Sequence, residues 1–397
     1  MQTEDQKVMA EVDAVKDSTR PKRKSKVLLD PCWFQETCKL AIKHKSNLIF
    51  TNKRVWGVSN AYGNSVWFEY PSNDLWCQTL SDMFSGSEGL PSFGVSSVGG
   101  NDLSPYAKIK LDGESKCYVD ETTNVVHVLG VGGVKLKSGA FTASPYSEAP
   151  PLSDDIPEFV YLDDVVPKQI HELIVSCVSK DSNRPALNWV FLVELNGKKG
   201  LVGTDGCALT MYKPDCDLPE YFIYNPNIVD AKQIIGFKCV VDENTGNCRN
   251  HYSLDDGVLM THVLNQFPTI QTGVASVIEQ SINGVSDGRV DGSSLKNFFS
   301  TVSSLGVGAK SVSKQLVFSK GKIDLVTEQG TMVSLDGDVE LGEGKKVALD
   351  FTRKSLVTFA NFGYSMNLSC ERPSFYHDEK LTYLLMPLRV ESKNNEQ

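Results

Sequence analysis

The chain has 397 residues, of which 41% are hydrophobic and 22% are charged, and its formal net charge is −9. This composition is that of a folded globular protein rather than a disordered one, and the length predicts two to four domains. No apolar run approaches the roughly 18 residues that a membrane-spanning helix needs, and the first residues carry no apolar signal core. We therefore expect the protein to remain in the compartment where it is made.

The residue types that carry chemistry are scattered. The ten cysteines include no Cys-x-x-Cys pair and the histidines are isolated, so we predict neither a metal site nor a disulfide framework, and most thiols are expected to pack as small hydrophobic groups. No phosphate-binding glycine loop and no recognisable Ser/His/Asp set is present. Asp163-Asp164 fits a helix start and Asp205 fits a turn. The sequence thus predicts no catalytic activity and no cofactor.

The first segment, residues 1–26, carries charges of both signs, almost no aromatic residues and a basic run at 21–26. This pattern is typical of a solvated tail. The basic run is also compatible with a targeting signal or with an arm that contacts DNA.

From residue 27 onward, an amphipathic helix repeatedly precedes a strand hairpin. The first helix is predicted from Asp30-Pro31, an N-cap with proline at N1, to about His44. The second begins at Val166-Pro167 and the third follows Asp291-Gly292, each with its apolar residues on one face. Further helices are predicted over 73–84, 225–235 (with Pro226 at N1) and 350–362.

The hairpins that follow are predicted over 47–68, 189–212 and 315–336, where β-branched and aromatic residues alternate around Lys, Gly or Asn turns. A glycine recurs in each (Gly63, Gly206 and Gly330), and Val58, Leu201 and Leu325 lie five positions before it. The spacing of roughly 125–145 residues suggests three copies of one α+β module, against the alternative of coincidence among generic hairpins.

Domain boundaries are expected near 149–151, which is rich in Ser and Pro, and near 273–284. We therefore predict a charged tail at 1–26, three domains at 27–150, 151–275 and 276–390, and a C-terminal tail at 391–397.

Three short signals follow one another along the chain. Leu187-Asn188 precedes Thr204-Asp205-Gly206, Phe267-Pro268 comes next, and the segment 383–390 is an apolar strand ended by Met386-Pro387. In this order and at this chain length, they resemble the partner-binding pocket of the bacterial sliding clamp, the beta subunit of DNA polymerase III. The resemblance covers about residues 27–390 and is strongest over 185–390.

The resemblance implies an α+β fold of three repeated DNA-clamp domains, each with helices packed on antiparallel sheets, that assemble into a head-to-tail homodimeric ring. It implies a processivity factor that encircles double-stranded DNA without sequence specificity, in the cytoplasm at replication forks. The replicative DNA polymerase and the clamp loader would bind it through short linear motifs. The alternative is a clamp-fold structural or interaction protein, such as a virion component, that does not load onto DNA.

Carried over by position, the resemblance places these residues in the pocket: Leu187, Thr204, Gly206, Cys207, Leu209, Pro268, Met386, Pro387, Leu388 and Arg389. Leucines, prolines and a pliable methionine suit the apolar side chains of a short peptide. The alternative is that these residues pack the junction of the second and third domains.

The family usually has His-Arg after Thr-Asp-Gly, whereas Cys207-Ala208 stands here, and this chain continues past the motif. Such divergence suggests a phage-encoded or otherwise specialised clamp.

A net charge of −9 suits a DNA-binding ring only if basic side chains are concentrated on the inner surface. The basic residues of the helices predicted to line the hole are Lys39, Lys43, Lys168, Lys180, Lys232, Lys296, Arg353 and Lys354. They are too sparse to read sequence and would contact only phosphates. The alternative is that they are ordinary surface residues.

Overall fold

Short helices and antiparallel strands alternate along the chain, as predicted for the α+β class. The computed structural model describes residues 26–51, 54–59, 66–83, 90–93, 103–120, 122–143, 160–181, 183–218, 224–228, 233–242, 244–264, 273–306 and 314–388. The chain forms two compact units, the first made of residues 1–156 with 257–262 and the second of residues 157–256 with 263–397.

The described helices of the first unit are α1 (Pro31–Lys43), α2 (Asp74–Met83) and α3 (Ser104–Lys108). Its strands are β1 (Lys26–Leu29), β2 (Leu48–Phe50), β3 (Val55–Val58), β4 (Val66–Tyr70), β5 (Pro91–Phe93), β6 (Lys116–Asp120), β7 (Val125–Leu129), β8 (Lys135–Ala140), β9 (Thr142–Ala143) and the start of β16 (Leu259–Leu264). One antiparallel sheet has the order β1-β6-β7-β8, and the strands of the other follow the order β16-β4-β3-β2-β5-β9.

Helix α1 begins where the sequence predicts it. The Asp30 side chain accepts a hydrogen bond from the Trp33 backbone N–H at 2.9 Å, which satisfies one of the free amides of the first turn. Phe34, Cys38 and Ala41 recur at helical spacing and are buried. The N-cap and the apolar stripe together explain why this segment forms a helix and which face it buries.

The second unit contains α4 (Leu162–Val165), α5 (Lys168–Ser176), α6 (Gly273–Ile282), α7 (Gly292–Ser304) and α8 (Lys354–Ala360) within its described residues. Its strands are β10 (Val160–Tyr161), β11 (Phe191–Leu195), β12 (Lys198–Thr204), β13 (Ala208–Tyr212), β14 (Ile234–Val241), β15 (Cys248–Leu254), β17 (Gly288–Val290), β18 (Gln315–Ser319), β19 (Lys322–Thr327), β20 (Gly330–Asp336), β21 (Val339–Leu341), β22 (Val347–Asp350), β23 (Met366–Leu368), β24 (Ser374–His377) and β25 (Leu381–Leu385). Their sheet orders are β10-β14-β15, β11-β12-β13-β25-β24-β23-β17-β21 and β20-β19-β18-β22.

The predicted repeat of the hairpin is confirmed, and each hairpin is a three-stranded antiparallel meander. The meanders are β2-β3-β4, β11-β12-β13 and β18-β19-β20. Val58, Leu201 and Leu325 are buried in the three middle strands. Gly206 and Gly330 have φ angles of 86° and 114°, a conformation that favours glycine. Gly63 lies outside the described residues.

One predicted helix is wrong in the part that the structure describes. The segment 225–235 was expected to be helical from Pro226, but residues 226–228 form a turn and Ile234 opens strand β14, paired with Leu254. A proline after a polar residue suits a turn as well as a helix start, and the β-branched Ile234 and Ile235 favour a strand. Residues 229–232 lie outside the described residues.

Two boundaries also differ from the predicted ones. Helix α8 starts at Lys354 rather than 350, because Asp350 is the last residue of β22 and accepts the Thr352 N–H at 2.9 Å. The expected domain boundary near 273–284 coincides with helix α6, and the one near 149–151 lies outside the described residues. The division into three domains therefore remains a prediction, as do the tails, of which Lys26 alone is described, in β1.

The large sheet of the second unit is covered on both faces. Helix α6 packs on one face, where Ile278 joins a cluster with Val202, Leu209 and Leu384. Helices α5 and α8 pack against each other on the other face, where the Tyr383 ring stacks on the Phe359 ring with centroids 4.4 Å apart. Burial of this apolar surface is the main force that holds the helices to the sheet.

Half of the thiols pack as predicted. Five cysteines are buried, two are half-buried, and Cys32, Cys207 and Cys216 are exposed. The expectation that most would be core residues is therefore right for only half of them. Among the described residues, no helix is both long and apolar enough to cross a membrane, and no three His, Cys, Asp or Glu side chains cluster around a possible metal position.

Candidate functional site

Two of the three sequence signals meet because β13 pairs with β25, the last strand that the structure describes. In this register, Ala208 lies opposite Leu385 and Leu209 lies opposite Leu384. The Met386 N–H then donates a hydrogen bond to the Cys207 carbonyl oxygen at 2.8 Å. The Met-Pro motif ends its strand, as the proline predicts, and comes to lie beside the turn that follows Thr204.

The turn between β12 and β13 is fixed by its own polar groups. Thr204 Oγ1 donates to the Ala208 carbonyl oxygen at 2.7 Å and accepts the Gly206 N–H at 3.1 Å. Asp205 Oδ1 accepts the N–H groups of Cys207 and Ala208 at 2.8 and 2.7 Å. These bonds confirm Asp205 as a turn residue and stabilise the Thr-Asp-Gly turn.

Gly206 sits at the top of this turn, where its φ of 86° would strain any other residue. A Cβ placed on Gly206 would lie 3.7 Å from Arg184 Nη1 and 3.7 Å from Leu187 Cδ1, so the space above its backbone is bordered but open. A ligand can therefore approach the main chain closely at this point.

An apolar cavity of about 270 Å³ opens between the turn, the end of β25 and helix α6. It is lined by Leu187, Thr204, Gly206, Cys207, Ala208, Leu209, Gly273, Val274, Val277, Pro373, Leu384 and Met386. None of these side chains is charged. Met386 is 43% exposed, and its flexible thioether lets the rim adapt to the shape of a ligand.

The structure brings together six of the residues predicted for the pocket. They are Leu187, Thr204, Gly206, Cys207, Leu209 and Met386. Pro387 and Leu388 do not line the cavity, and the Leu388 N–H instead donates to the Ala348 carbonyl oxygen at 2.8 Å, which ties this segment to β22. Pro268 and Arg389 lie outside the described residues.

Sequence reasoning missed the wall that α6 provides. Val274 and Val277 face the cavity together with Gly273, and Pro373 closes it from the loop before β24. The two valines stand at i and i+3, the spacing of one helical face, and could have been found if the segment had been analysed as a helix. Pro373 carries no local signal, because only the sheet pairing brings it here.

The basic residues predicted to face DNA fall into two groups. Exposed ones lie on or beside the predicted helices: Lys39 and Lys43 on α1, Lys168 on α5, Lys180 after α5, Lys296 on α7 and Lys354 on α8. Lys39 makes an ion pair with Glu36 at 2.6 Å. Lys232 lies outside the described residues.

Arg353 differs from the others. Its half-buried guanidinium forms an ion pair with Asp205 and lies 3.5 Å from Asp350. Burial alone would lower the pKa of Arg353, but the nearby carboxylate of Asp205 has a larger opposite effect. The pKa is therefore raised, and the guanidinium stays charged. This arginine is thus engaged with the turn that forms the cavity wall.

The fold matches solved structures of bacterial sliding clamps. The beta sliding clamp of Caulobacter crescentus matches with a TM-score of 0.60 and 15% identity over 92% of this chain and all of that chain. The DNA polymerase III beta subunit of Thermotoga maritima matches with a TM-score of 0.58 and 14% identity, over 92% and 99%. The beta subunit of Streptococcus pyogenes matches with 0.58 and 13%, over 92% and 100%.

No protein-family model and no curated protein matches the chain. The chain therefore agrees with the solved structures in its fold, while its sequence has diverged to an identity of 13–15%. The fold implied by the sequence motifs is confirmed over nearly the whole chain. The chain has the sliding-clamp fold of the bacterial DNA polymerase III beta subunit, in a divergent form.

Proposed function

We propose that the protein is a DNA sliding clamp, a non-enzymatic processivity factor that holds a replicative polymerase on duplex DNA. The observation that carries the proposal is the apolar cavity beside Thr204–Gly206 and Met386, built in a chain that has the clamp fold. A cavity lined by leucines, valines and a methionine, with a main-chain stretch left open at Gly206, suits the apolar side chains of a short linear peptide. The polymerase and the clamp loader would supply such peptides.

The proposed assembly is a head-to-tail homodimer. Strand β8 ends one sheet of the first unit and β20 ends one sheet of the second unit, so each offers an edge to a second copy of the chain. The edges differ in charge: Lys135 and Lys137 are exposed on β8, whereas Asp336 is exposed at the end of β20 and Glu328 is exposed in the turn that precedes it. Opposite charges favour pairing of unlike edges. We place this ring in the cytoplasm at replication forks, as a phage-type or otherwise specialised clamp.

DNA should be held by topology rather than by affinity. With a net charge of −9 and few basic groups, the protein should bind short linear duplex weakly, and salt should weaken that contact further. We expect dimers that close around a nicked circular plasmid, when dilute protein is concentrated in its presence, to stay bound during gel filtration in high salt. Cutting the plasmid after loading should release them.

The control for this experiment is the same plasmid linearised before loading, which should retain little protein. Equal retention on both forms, or salt-resistant binding to linear duplex, would contradict the encircling ring. A stable dimer that is retained on neither form would instead favour a structural or interaction protein that shares the clamp fold.

Met386→Ala should weaken binding of an apolar peptide by about 1–3 kcal/mol, because it removes a flexible anchor from the rim of the cavity. The measurement is fluorescence anisotropy with a labelled peptide that has a Leu-Leu-Phe core in a Gly-Ser background. Leu388→Ala is the matched control, since Leu388 is bonded to Ala348 and does not line the cavity. An equal loss in both variants would place the peptide elsewhere.

A further inference from the structure

An ion pair joins two segments that are 148 residues apart in sequence. Asp205 belongs to the turn that forms one wall of the cavity, and Arg353 immediately precedes helix α8. The two side chains are only 26% and 23% exposed, so their attraction is less screened by water than that of a surface pair. Neither residue lines the cavity itself.

The two oxygens of Asp205 have different partners. Oδ1 accepts the N–H groups of Cys207 and Ala208, which line the cavity, whereas Oδ2 accepts from Arg353. A rotation of the carboxylate would therefore break the bonds that shape the turn. Arg353 opposes that rotation because it holds the oxygen that faces away from the turn.

Arg353 is itself held in place. Its Nε lies 3.5 Å from Asp350 Oδ2, at the end of β22. Two residues further on, Ser355 has its Oγ 3.4 Å from the Tyr383 hydroxyl, in the core beneath α8. The guanidinium thus has a second carboxylate partner and stands at the start of a helix that is packed on the core, as a supporting group requires.

We propose that Arg353 is a positioning residue of the peptide cavity and not a contact to DNA. Through Asp205, it keeps the Thr204–Leu209 turn in the shape that accepts a peptide. This inference rests on the proposed peptide-binding function of the cavity. It also reassigns a basic side chain that sequence reasoning places among the DNA-facing residues.

The test compares Arg353→Met, Arg353→Lys, Asp205→Asn and the double variant Asp205→Asn/Arg353→Met. Asparagine can still accept the turn amides through its side-chain oxygen, so Asp205→Asn removes the charge while the turn bonds can persist. With the labelled Leu-Leu-Phe peptide, we expect Arg353→Met and Asp205→Asn each to weaken binding about tenfold, and the double variant to be no weaker than either. Arg353→Lys should recover most of the affinity.

Additive losses in the double variant, or a Lys variant as weak as the Met variant, would overturn the proposal, because packing alone would then explain the effect. A second readout needs no peptide. Hydrogen exchange of the segment 204–209 should be faster in Arg353→Met than in the parent protein, and unchanged exchange would also overturn the proposal. If the peptide fails to bind the parent protein, the result counts against the proposed function. Hydrogen exchange of 204–209 would still show whether Arg353 stabilises the turn.

The reassignment from DNA is tested with Lys354→Gln, an exposed neighbour at the start of α8. At low salt, Arg353→Met should bind a short labelled duplex as the parent protein does. If Arg353→Met loses duplex binding to the same extent as Lys354→Gln while its peptide affinity is unchanged, Arg353 is a phosphate contact and the proposal fails.

Discussion

Gly203→Ala is expected to lower the free energy of unfolding by about 3 kcal/mol, measured by urea denaturation followed by circular dichroism. Gly203 lies in β12 directly under α5, where an added Cβ would stand 2.3 Å from the Ile174 carbonyl oxygen. That atom belongs to the helix backbone and cannot rotate away. The helix would have to shift off the sheet, which opens the packing beneath it.

Gly200→Ala in the same strand is the matched control. Its added Cβ would meet the end of the buried Met211 side chain, with Cε at 2.5 Å, and would reach a backbone atom, the Tyr212 carbonyl oxygen, only at 3.1 Å. A flexible methionine can adjust more readily than a helix backbone, so we expect a smaller loss for this variant. Both variants lower the conformational entropy of the unfolded chain to the same extent, because each replaces one glycine by alanine. The difference between their free energies of unfolding therefore reports the collision with α5. Similar stabilities for the two variants would show that α5 moves freely over β12.

Sequence reasoning succeeded where the signal is local. The helix at Asp30-Pro31, the helix after Asp291 and the three meanders each follow from a cap, a periodic apolar pattern or a turn residue within about twenty residues. The side of the cavity made by Thr204, Gly206 and Met386 was located through the resemblance of these motifs to the pocket of the bacterial sliding clamp. The turn at Gly206 and the strand end at Pro387 depend on short-range sterics, which the sequence shows directly, but their meeting at one cavity does not.

Reasoning from the sequence failed where the determinant is a distant partner. Ile234 belongs to a strand because β15 pairs with it, although the residues before it suit a helix start. The contribution of Val274 to the cavity depends on where α6 packs. In the sequence, Arg353 looks like an ordinary surface cation, but it forms an ion pair with Asp205, which lies 148 positions away. None of these outcomes can be read from the residues that flank the position.

The divergence at Cys207-Ala208 is understandable from the register of the sheet. Ala208 is buried opposite Leu385, and the Cys207 carbonyl oxygen accepts the Met386 N–H, so the backbone here serves the sheet while the Cys207 side chain stays exposed at the cavity. A small side chain therefore stands at this edge of the cavity. Under the proposed function, we expect the preferred peptide to differ from that of a clamp with His-Arg at these two positions.

Acidification should destabilise the protein through His251. This histidine is buried in β15, and burial, with smaller contributions from Lys238 and Arg249, lowers its pKa from 6.5 to about 4. Between those two values the unfolded chain takes up a proton that the folded chain does not, so the free energy of unfolding falls as the pH falls and is fully retained above pH 6.5. Integrated over that window, the loss is about 3 kcal/mol. In His251→Gln, the free energy of unfolding should fall by about 3 kcal/mol less between pH 7 and pH 4 than in the parent protein. The measurement is a urea titration at each pH. His377→Gln changes a more exposed histidine, whose pKa burial also lowers but by less, and should therefore remove only a small part of this dependence. If His251→Gln keeps the whole acid-dependent loss of the parent protein, His251 does not stay neutral in the fold.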